Sequence, residues 1–364
     1  MAKIGIYSDV HFSHSSSILP TYENNNAYTT RLNMCKDSMI WAYDEFKKRN
    51  VNAVVNCGDT FNSHTVSADE ITAYVNAINE IYRPTDNAFS GLDITLIGNH
   101  DRFNEMFNSL SVLNLTSYST LVNRYTYFDI ENYDCYCISF YETKDFYNIM
   151  MEMLEKYPRQ HNHAILFMHG DINGSYLSSI KRIENHIATD FLTSYFDIII
   201  NGHIHCHELI YNKNDKRIYN VGSLTSHSFA DSNNHVPACW IFDTETGLLE
   251  QINNPHAIVF KTYEIVDNKQ IKLMTDEVQF NKNRVILKIK CSFDLKEDIE
   301  NALNEISNIV KYKFVFSYNK EIENKKDAVT CISASIDIKD EFITFLSTCN
   351  DLKGNLNDYV NVIN

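Results

Sequence analysis

The chain has 364 residues, of which 44% are hydrophobic, and its formal net charge is −15. This composition is that of a globular protein with two or three domains. The acidic excess argues against a protein that holds nucleic acid by bulk electrostatic attraction. It does not exclude DNA as a substrate, because bound metal ions reverse the local charge of a site.

The sequence contains no run of 18 apolar residues, so we expect no transmembrane helix. The chain starts directly with an apolar strand rather than with the long apolar segment of a signal peptide, so we expect no export. Its nine cysteines are scattered and form no CxxC pair. Such a pattern is typical of reduced thiols, and we predict a cytoplasmic location.

Strands and helices alternate over the first hundred residues. Apolar residues recur three or four positions apart in the helical segments, and short apolar runs separate them. Ser67, followed three residues later by Glu70, forms a capping box that begins the second helix. The predicted order is strand 3–8, helix 28–49, strand 52–57, helix 67–82 and strand 93–97.

Strands dominate the next part of the chain. The predicted elements are strands around 119–138, helix 143–156, and strands at 163–168, 196–200, 207–211, 217–221, 237–243 and 257–265. Strands that are grouped late, after an alternating start, predict an α/β fold with two sheets packed as a sandwich and flanked by helices. A single doubly wound sheet fits this order less well.

The character of the sequence changes near residue 266. The segment 267–282 is polar and carries no motif. The elements predicted after it are strand 284–290, helix 295–306, strand 311–317, strand 329–337 and helix 339–348. We therefore predict a main domain over 1–265, a small α+β domain over 266–350 and a short tail over 351–364.

Short motifs that bear histidine and aspartate follow the apolar strands, and a glycine stands beside most of them. Strand ends are where the loops of α/β proteins carry functional side chains, and glycine permits the sharp turns that aim them. In chain order the motifs are Asp9-Val10-His11, Gly58-Asp59, Gly98-Asn99-His100-Asp101, His169-Gly170 and Gly202-His203-Ile204-His205.

These motifs supply nitrogen and oxygen ligands without a thiolate. The ligands are enough for two divalent cations, and the candidates are Asp9, His11, Asp59, Asn99, His169, His203 and His205. Such a set suits Mn²⁺, Fe or Zn²⁺, whereas Mg²⁺ usually avoids sites rich in histidine. Two metal ions that flank one phosphate are a known solution for phosphoester hydrolysis.

Three residues receive specific predicted roles. Asp59 is the candidate carboxylate that bridges the two ions. His100 adjoins the ligand Asn99 and is the candidate general acid, which would protonate the leaving oxygen. Asp101 is predicted to orient His100 or its loop through a hydrogen bond. Eight of the nine histidines outside the motifs are treated as structural: His14, His64, His161, His163, His207, His227, His235 and His256.

The motif array, which covers residues 9 to 205, resembles that of the calcineurin-like metallophosphoesterases, and within them it is most similar to the SbcD-type DNA repair nucleases. The stretch Gly58-Asp59-Thr60-Phe61 resembles the GD-x-F stretch of that family. The segment 219–224, followed by Phe229, resembles the segment after its last metal motif. The small domain after residue 266 sits where that family has its DNA-capping domain.

The resemblance implies a division of the ligands. One ion would take Asp9, His11, Asp59 and His205, and the other would take Asp59, Asn99, His169 and His203. It also implies His100 as the catalytic histidine and Mn²⁺ as the metal. The implied partners are an SbcC-type coiled-coil ATPase and a second copy of the chain, which would contact the first through helices near 67–83 and 104–115. The composition, rich in Asn, Tyr and Ile, fits an AT-rich genome such as that of a phage, so the expected setting is the cytoplasm of a bacterium or of a phage-infected host.

Three functions are open at this point. The first is a metal-dependent DNA phosphodiesterase with exonuclease and endonuclease action at DNA ends, in an SbcCD-like recombination and repair complex. The second is a phosphatase or small-molecule phosphodiesterase that uses the same metals. The third is a non-catalytic scaffold for an ATPase. Turnover of nucleotide monoesters without DNA cleavage would favour the second, and retention of every ligand and of His100 argues against the third.

Overall fold

The computed structural model describes residues 2–14, 28–83, 88–111, 118–176, 182–229, 236–281, 283–304 and 306–316. Within these ranges the helices are α1 (Thr30–Lys48), α2 (Ala68–Ile81), α3 (Thr143–Lys156), α4 (Thr189–Tyr195), α5 (Asn268–Gln279) and α6 (Lys296–Leu303). The strands are β1 (Lys3–Tyr7), β2 (Ala53–Asn56), β3 (Leu92–Leu96), β4 (Thr120–Val122), β5 (Tyr125–Ile130), β6 (Tyr133–Ile138), β7 (His163–Met168), β8 (Ile198–Asn201), β9 (Glu208–Lys213), β10 (Lys216–Asn220), β11 (Ala238–Asp243), β12 (Leu248–Asn253), β13 (Val259–Ile265), β14 (Val285–Cys291) and β15 (Ile309–Phe316).

Two six-stranded sheets pack face to face. Their strand orders are β12-β11-β1-β2-β3-β4 and β5-β6-β7-β8-β10-β9. One buried cluster takes residues from both sheets, including Ile6 and Val55 from the first and Ile165 and Ile200 from the second. Separate clusters hold α1 and α2 on the first sheet and α3 and α4 on the second. The predicted two-sheet α/β sandwich flanked by helices is therefore confirmed.

Local sequence explains how α1 lies so close to β1. Alternate residues of the strand serve two cores, because Ile6 belongs to the layer between the sheets and Tyr7 to the layer under the helices. At Gly5, an added Cβ would lie 2.8 Å from the ring of Phe46 on α1. The glycine therefore makes room for an aromatic side chain that seals the helix against the sheet.

The capping box that begins α2 is confirmed. The Ser67 hydroxyl accepts a hydrogen bond from the Glu70 amide (3.3 Å), and the Glu70 carboxylate accepts one from the Ser67 amide (2.8 Å). Glu70 also accepts the backbone N–H of His14 (3.0 Å). The start of α2 is thereby fastened to the chain just after the first motif.

A third sheet follows, with three parallel strands in the order β13-β14-β15. Helices α5 and α6 pack on one face of it through a core of its own, which includes Ile271, Met274 and Val278 of α5. The sequence reasoning missed α5, because its apolar residues are few among polar ones. They are nonetheless spaced as one face of a helix requires.

Several predicted segments lie outside the described residues: strand 329–337, helix 339–348 and the tail 351–364. The division into domains stays a prediction, and β13, N-terminal of the boundary predicted at residue 266, pairs with β14 in the third sheet. None of the helices in the described ranges combines the length and the apolar character that a bilayer span requires.

The topology brings the motifs to one edge of the sandwich. Strands β1, β2 and β3 are mutually parallel in the first sheet, and β6, β7 and β8 are mutually parallel in the second. The carboxyl ends of parallel strands meet at the same edge of a sheet. Each of the five motifs follows one of these strand ends.

Candidate metal centre

The turns after the strands hold several predicted ligands in an uncommon backbone conformation. Asp9 (φ 53°), His11 (φ 51°), Asp59 (φ 52°) and His203 (φ 73°) all lie in the left-handed region, where residues other than glycine are uncommon. Backbone pairing continues through these turns, since the amides of Asp9 and His11 donate to the carbonyls of Gly58 and Asp59, each at 3.0 Å. The adjacent ends of β1 and β2 therefore hold each other in the conformation that turns Asp9, His11 and Asp59 inward.

Asp9, His11 and His205 form the first group of side chains. Oδ1 of Asp9 lies 3.7 Å from Nε2 of His11 and 3.9 Å from Nε2 of His205. The two imidazole Nε2 atoms are 3.2 Å apart. Oδ2 of Asp9 accepts the backbone N–H of His203 at 3.0 Å. That bond fixes the carboxylate so that Oδ1 faces the histidines.

Asn99, His169 and His203 form the second group. Oδ1 of Asn99 lies 2.9 Å from Nε2 of His169 and 2.9 Å from Nδ1 of His203. The other nitrogen of His169, Nδ1, donates to the Cys57 carbonyl at 2.7 Å, so Nε2 is the nitrogen that would bind a metal ion. His169 is fully buried. A rigid second cluster thus stands beside the first.

Asp59 lies between the two groups. Its Oδ2 is 3.5 Å from Nε2 of His11 and 3.4 Å from Nε2 of His169. Its Oδ1 accepts the backbone N–H of His100 at 2.9 Å. Burial alone would raise the pKa of this carboxyl, but the charge and hydrogen bond of His169, together with the charges of His11 and His100, outweigh it and the pKa falls below its ordinary value. The same pair raises the pKa of His169 to about 9 against the effect of burial.

The residues fit two divalent cations. Oδ1 of Asp9 and Nδ1 of His11 are buried and lack a hydrogen-bond partner in the described part of the chain, and an orphaned buried carboxylate oxygen is costly without a counter-ion. Oxygen and nitrogen atoms that offer lone pairs converge around it. Asp9, His11, Asp59 and His205 would hold one ion, and Asp59, Asn99, His169 and His203 would hold the other.

His100 and Asp101 differ in what they contact. His100 is exposed, and its Nδ1 donates to the carbonyl of Asn62 at 2.9 Å. A proton given to a substrate would therefore come from Nε2. The Asp101 carboxylate is fully buried and accepts the amides of Thr60, Phe61 and Gly98 at 2.9–3.1 Å. Of its two predicted roles, the contacts match orientation of the loop, whereas Asn62 orients the His100 ring.

Sequence reasoning missed His227, which it treated as structural. The His227 ring lies 4.4 Å from the ring of His11 and 4.5 Å from that of His205, centroid to centroid. Its Nδ1 accepts from the buried guanidinium of Arg31 at 2.7 Å, and its Nε2 donates to the Asp9 carbonyl at 3.2 Å. With both nitrogens in use, His227 forms a wall of the centre. No short-range pattern marks it, because its partners are distant in sequence.

A sequence profile described as calcineurin-like phosphoesterase matches residues 2–207 of the chain. The chain belongs to this family. No curated protein sequence matches this phosphoesterase.

Solved structures to which the chain is similar include a dimetal phosphatase from Danio rerio, with 11% identity, a TM-score of 0.40 and coverage of 66% of this chain and 91% of that one. Another is TT1561 of Thermus thermophilus, with 9% identity, a TM-score of 0.43 and coverage of 69% and 98%. A third is Vps29 of Entamoeba histolytica complexed with Zn²⁺, with 13% identity, a TM-score of 0.32 and coverage of 69% and 98%.

The position of Asp59 predicts that both ions depend on it. We expect the wild-type phosphoesterase to bind two Mn²⁺ ions per chain and the Asp59→Asn variant to lose tight binding of both, because Oδ2 is common to the two groups of ligands. Isothermal titration calorimetry measures the stoichiometry. Asp69→Asn, at an exposed position on α2, is the matched control. Two ions bound to Asp59→Asn with wild-type affinity would contradict the bridging position.

Proposed function

We propose that this phosphoesterase is a two-metal-dependent DNA phosphodiesterase. It acts as an exonuclease and endonuclease at DNA ends, as the nuclease subunit of an SbcCD-like recombination and repair complex. When bound, the two ions, Mn²⁺ by this proposal, would polarise the phosphate and lower the pKa of the attacking water. His100 would give the proton of Nε2 to the leaving oxygen, while Asn62 holds its Nδ1.

The observation that supports DNA over a small phosphoester is a lysine-bearing face of the third sheet. Strand register places Lys288 opposite Lys313, and Lys290 and Lys311 lie on the same face. Three of the four side chains are exposed, and Lys288 is half-buried. Within the described ranges, no carboxylate lies within ion-pair distance of these four ammonium groups. In a chain of net charge −15, such a face is a local site for a polyanion.

One aromatic side chain links this face to the metal centre. The ring of Phe229 lies 4.9 Å from Nζ of Lys313 and 5.9 Å from Nζ of Lys288, and its centroid is 5.2 Å from that of Phe260. Phe229 is two residues from His227, which contacts the Asp9 carbonyl. A phosphate backbone bound along the lysines could therefore continue to the centre. A small phosphate monoester bound at the centre would not extend along the lysines of β14 and β15.

The exposed apolar residues after the third motif support a homodimer. Phe103 is 64% exposed, Met106 82% and Phe107 62%. A cluster of such residues on a protein surface is costly unless a partner covers it. We place a second copy of the chain there and along α2, and the predicted contact segment 104–115 is described only as far as residue 111.

We also propose that the protein binds an SbcC-type coiled-coil ATPase and that it works in the cytoplasm of a bacterium or of a phage-infected host. The resemblance of the motif array supports the ATPase. The seven cysteines within the described ranges are free thiols, which agrees with a reducing compartment.

The nuclease proposal predicts that the wild-type protein cleaves end-labelled linear DNA in the presence of Mn²⁺. The His100→Asn variant should lose about 10²- to 10⁴-fold in rate, the usual contribution of a general acid, while calorimetry still shows two bound ions. If the wild-type protein cleaves no form of DNA, with or without its ATPase, the nuclease proposal is wrong. Turnover of a nucleotide monoester in that case identifies the protein as a phosphatase.

The lysine face predicts the salt dependence of DNA binding. In a His100→Asn background, the further changes Lys290→Gln, Lys311→Gln and Lys313→Gln should weaken binding. They should also make the slope of log affinity against log salt less steep, by about 0.9 for each phosphate that is no longer neutralised. Fluorescence anisotropy with a labelled duplex measures both.

Lys261→Gln is the control for these lysines, because its ammonium already contacts Glu277 of α5. A variant that carries the same three lysine substitutions but keeps His100 should hydrolyse a small phosphodiester at the wild-type rate. An unchanged salt slope in the triple variant would remove the lysine face from DNA binding.

The dimer proposal predicts that wild-type protein elutes with twice the chain mass and that Phe107→Glu elutes as a monomer, because the new charge cannot be buried in an apolar contact. Size-exclusion chromatography with light scattering gives the mass. Met151→Glu, at an exposed apolar position on α3 (44% exposed), should leave the mass unchanged. A monomeric wild type would contradict the proposal.

A further inference from the structure

The two histidines of the second group face Asn99 through different ring nitrogens. His169 turns Nε2 towards Asn99 and donates from Nδ1 to a backbone carbonyl. His203 does the reverse, with Nδ1 at 2.9 Å from Asn99 and Nε2 at 3.1 Å from Oδ1 of Asp171. A carboxylate can only accept, so Nε2 of His203 carries a proton, and Nδ1 is the nitrogen that a metal ion beside Asn99 would bind.

Asp171 is fixed in place by its own backbone. Its carbonyl accepts the amide of Ile187 at 3.0 Å, and the next residue, Ile172, forms a parallel bridge with Ile187. Both isoleucines are almost completely buried. The side chain of Asp171 is 28% exposed and that of His203 19%. The carboxylate therefore approaches His203 from an anchored segment, not from a loose surface loop.

The two oxygens of the Asp171 carboxylate have different neighbours. Oδ1 accepts from His203, whereas Oδ2 lies 3.7 Å from Nδ1 of His186 on the outer side, where the side chain is 43% exposed. The His186 amide in turn donates to the Asn173 side chain at 2.7 Å. Only one oxygen of Asp171 is thus directed at the centre, and it reaches the centre through His203.

We infer that Asp171 is a positioning residue that selects Nδ1 of His203 as a metal ligand and strengthens it as a donor. A carboxylate partner fixes the tautomer and orientation of an imidazole and makes it more basic than a carbonyl partner does. Loss of such an outer partner typically costs 10- to 100-fold in metal affinity. The inference rests on the metal centre of the proposed function and not on DNA as the substrate.

The experiment titrates Mn²⁺ into the full-length wild type, Asp171→Ala and Asp171→Asn by isothermal titration calorimetry. We expect Asp171→Ala to weaken one of the two sites by about 10- to 100-fold and to leave the other unchanged. Asp171→Asn keeps an oxygen that accepts from Nε2, so its loss should be smaller. Asp190→Ala, at an exposed position on α4, is the matched control and should behave as the wild type.

A second readout follows the tautomer directly. Nitrogen-15 NMR of the metal-free protein should show His203 protonated on Nε2 in the wild type and in Asp171→Asn. In Asp171→Ala, a mixture of tautomers is expected. The His203 resonances are assigned from their absence in His203→Asn.

Unchanged affinity of Asp171→Ala at both sites would overturn the inference, and so would an equal loss in Asp171→Asn and Asp171→Ala. Weakening of both ions together with a lower melting temperature would indicate a general structural role and would overturn it as well. These results do not depend on DNA cleavage. A wild type that binds two ions but cleaves no DNA would defeat the proposed nuclease function and leave the inference on Asp171 intact.

Discussion

The contact between the two sheets is the constraint on which the centre depends. Asp9, Asp59 and Asn99 follow strands of the first sheet, whereas His169 and His203 follow strands of the second. Neither sheet alone carries a complete set of ligands for the second ion. The apolar layer between the sheets, which is built from alternate residues of their central strands, sets the distance at which the ligands meet. Asp59 lies at the join, with one oxygen within 3.5 Å of a histidine from each sheet.

The scaffold around the centre offsets the free-energy cost of its strained turns and its buried carboxylates. Left-handed backbone at residues other than glycine costs on the order of 1–3 kcal/mol each, and a buried carboxylate oxygen without a partner is costly in addition. Asp101 offsets part of this strain, because its carboxylate ties the turns after β2 and β3 together through amides of both. On the other side of the centre, Arg31 holds the segment that carries His227, because it donates to the carbonyl of Ser226 and to Nδ1 of His227. Metal ions would satisfy what remains.

Charge is distributed unevenly between the centre and the third sheet. The centre concentrates carboxylates and imidazoles that suit cations, while the third sheet presents lysines beside Phe229. The proposed nuclease function requires both, since a scissile phosphate must reach the metals while neighbouring phosphates need positive partners. The net charge of −15 hides this arrangement, because it sums over all surfaces of the chain.

The sequence by itself determined the sandwich, the edge at which the motifs lie and the side chains that gather there, because apolar periodicity and strand-end glycines are local signals. The capping box of Ser67 and Glu70 is equally local, and the structure confirms it. Helix α5 was missed, because its few apolar residues stand among many polar ones.

The tertiary structure alone decided which atoms meet. It placed Asp171 on His203, Arg31 on His227 and Asn62 on His100, and it gathered four lysines on one face of β14 and β15. Each of these contacts joins a side chain to a group on another element. Strand register and turn geometry decide which group each side chain meets, and the spacing of residues within one segment does not encode that pairing.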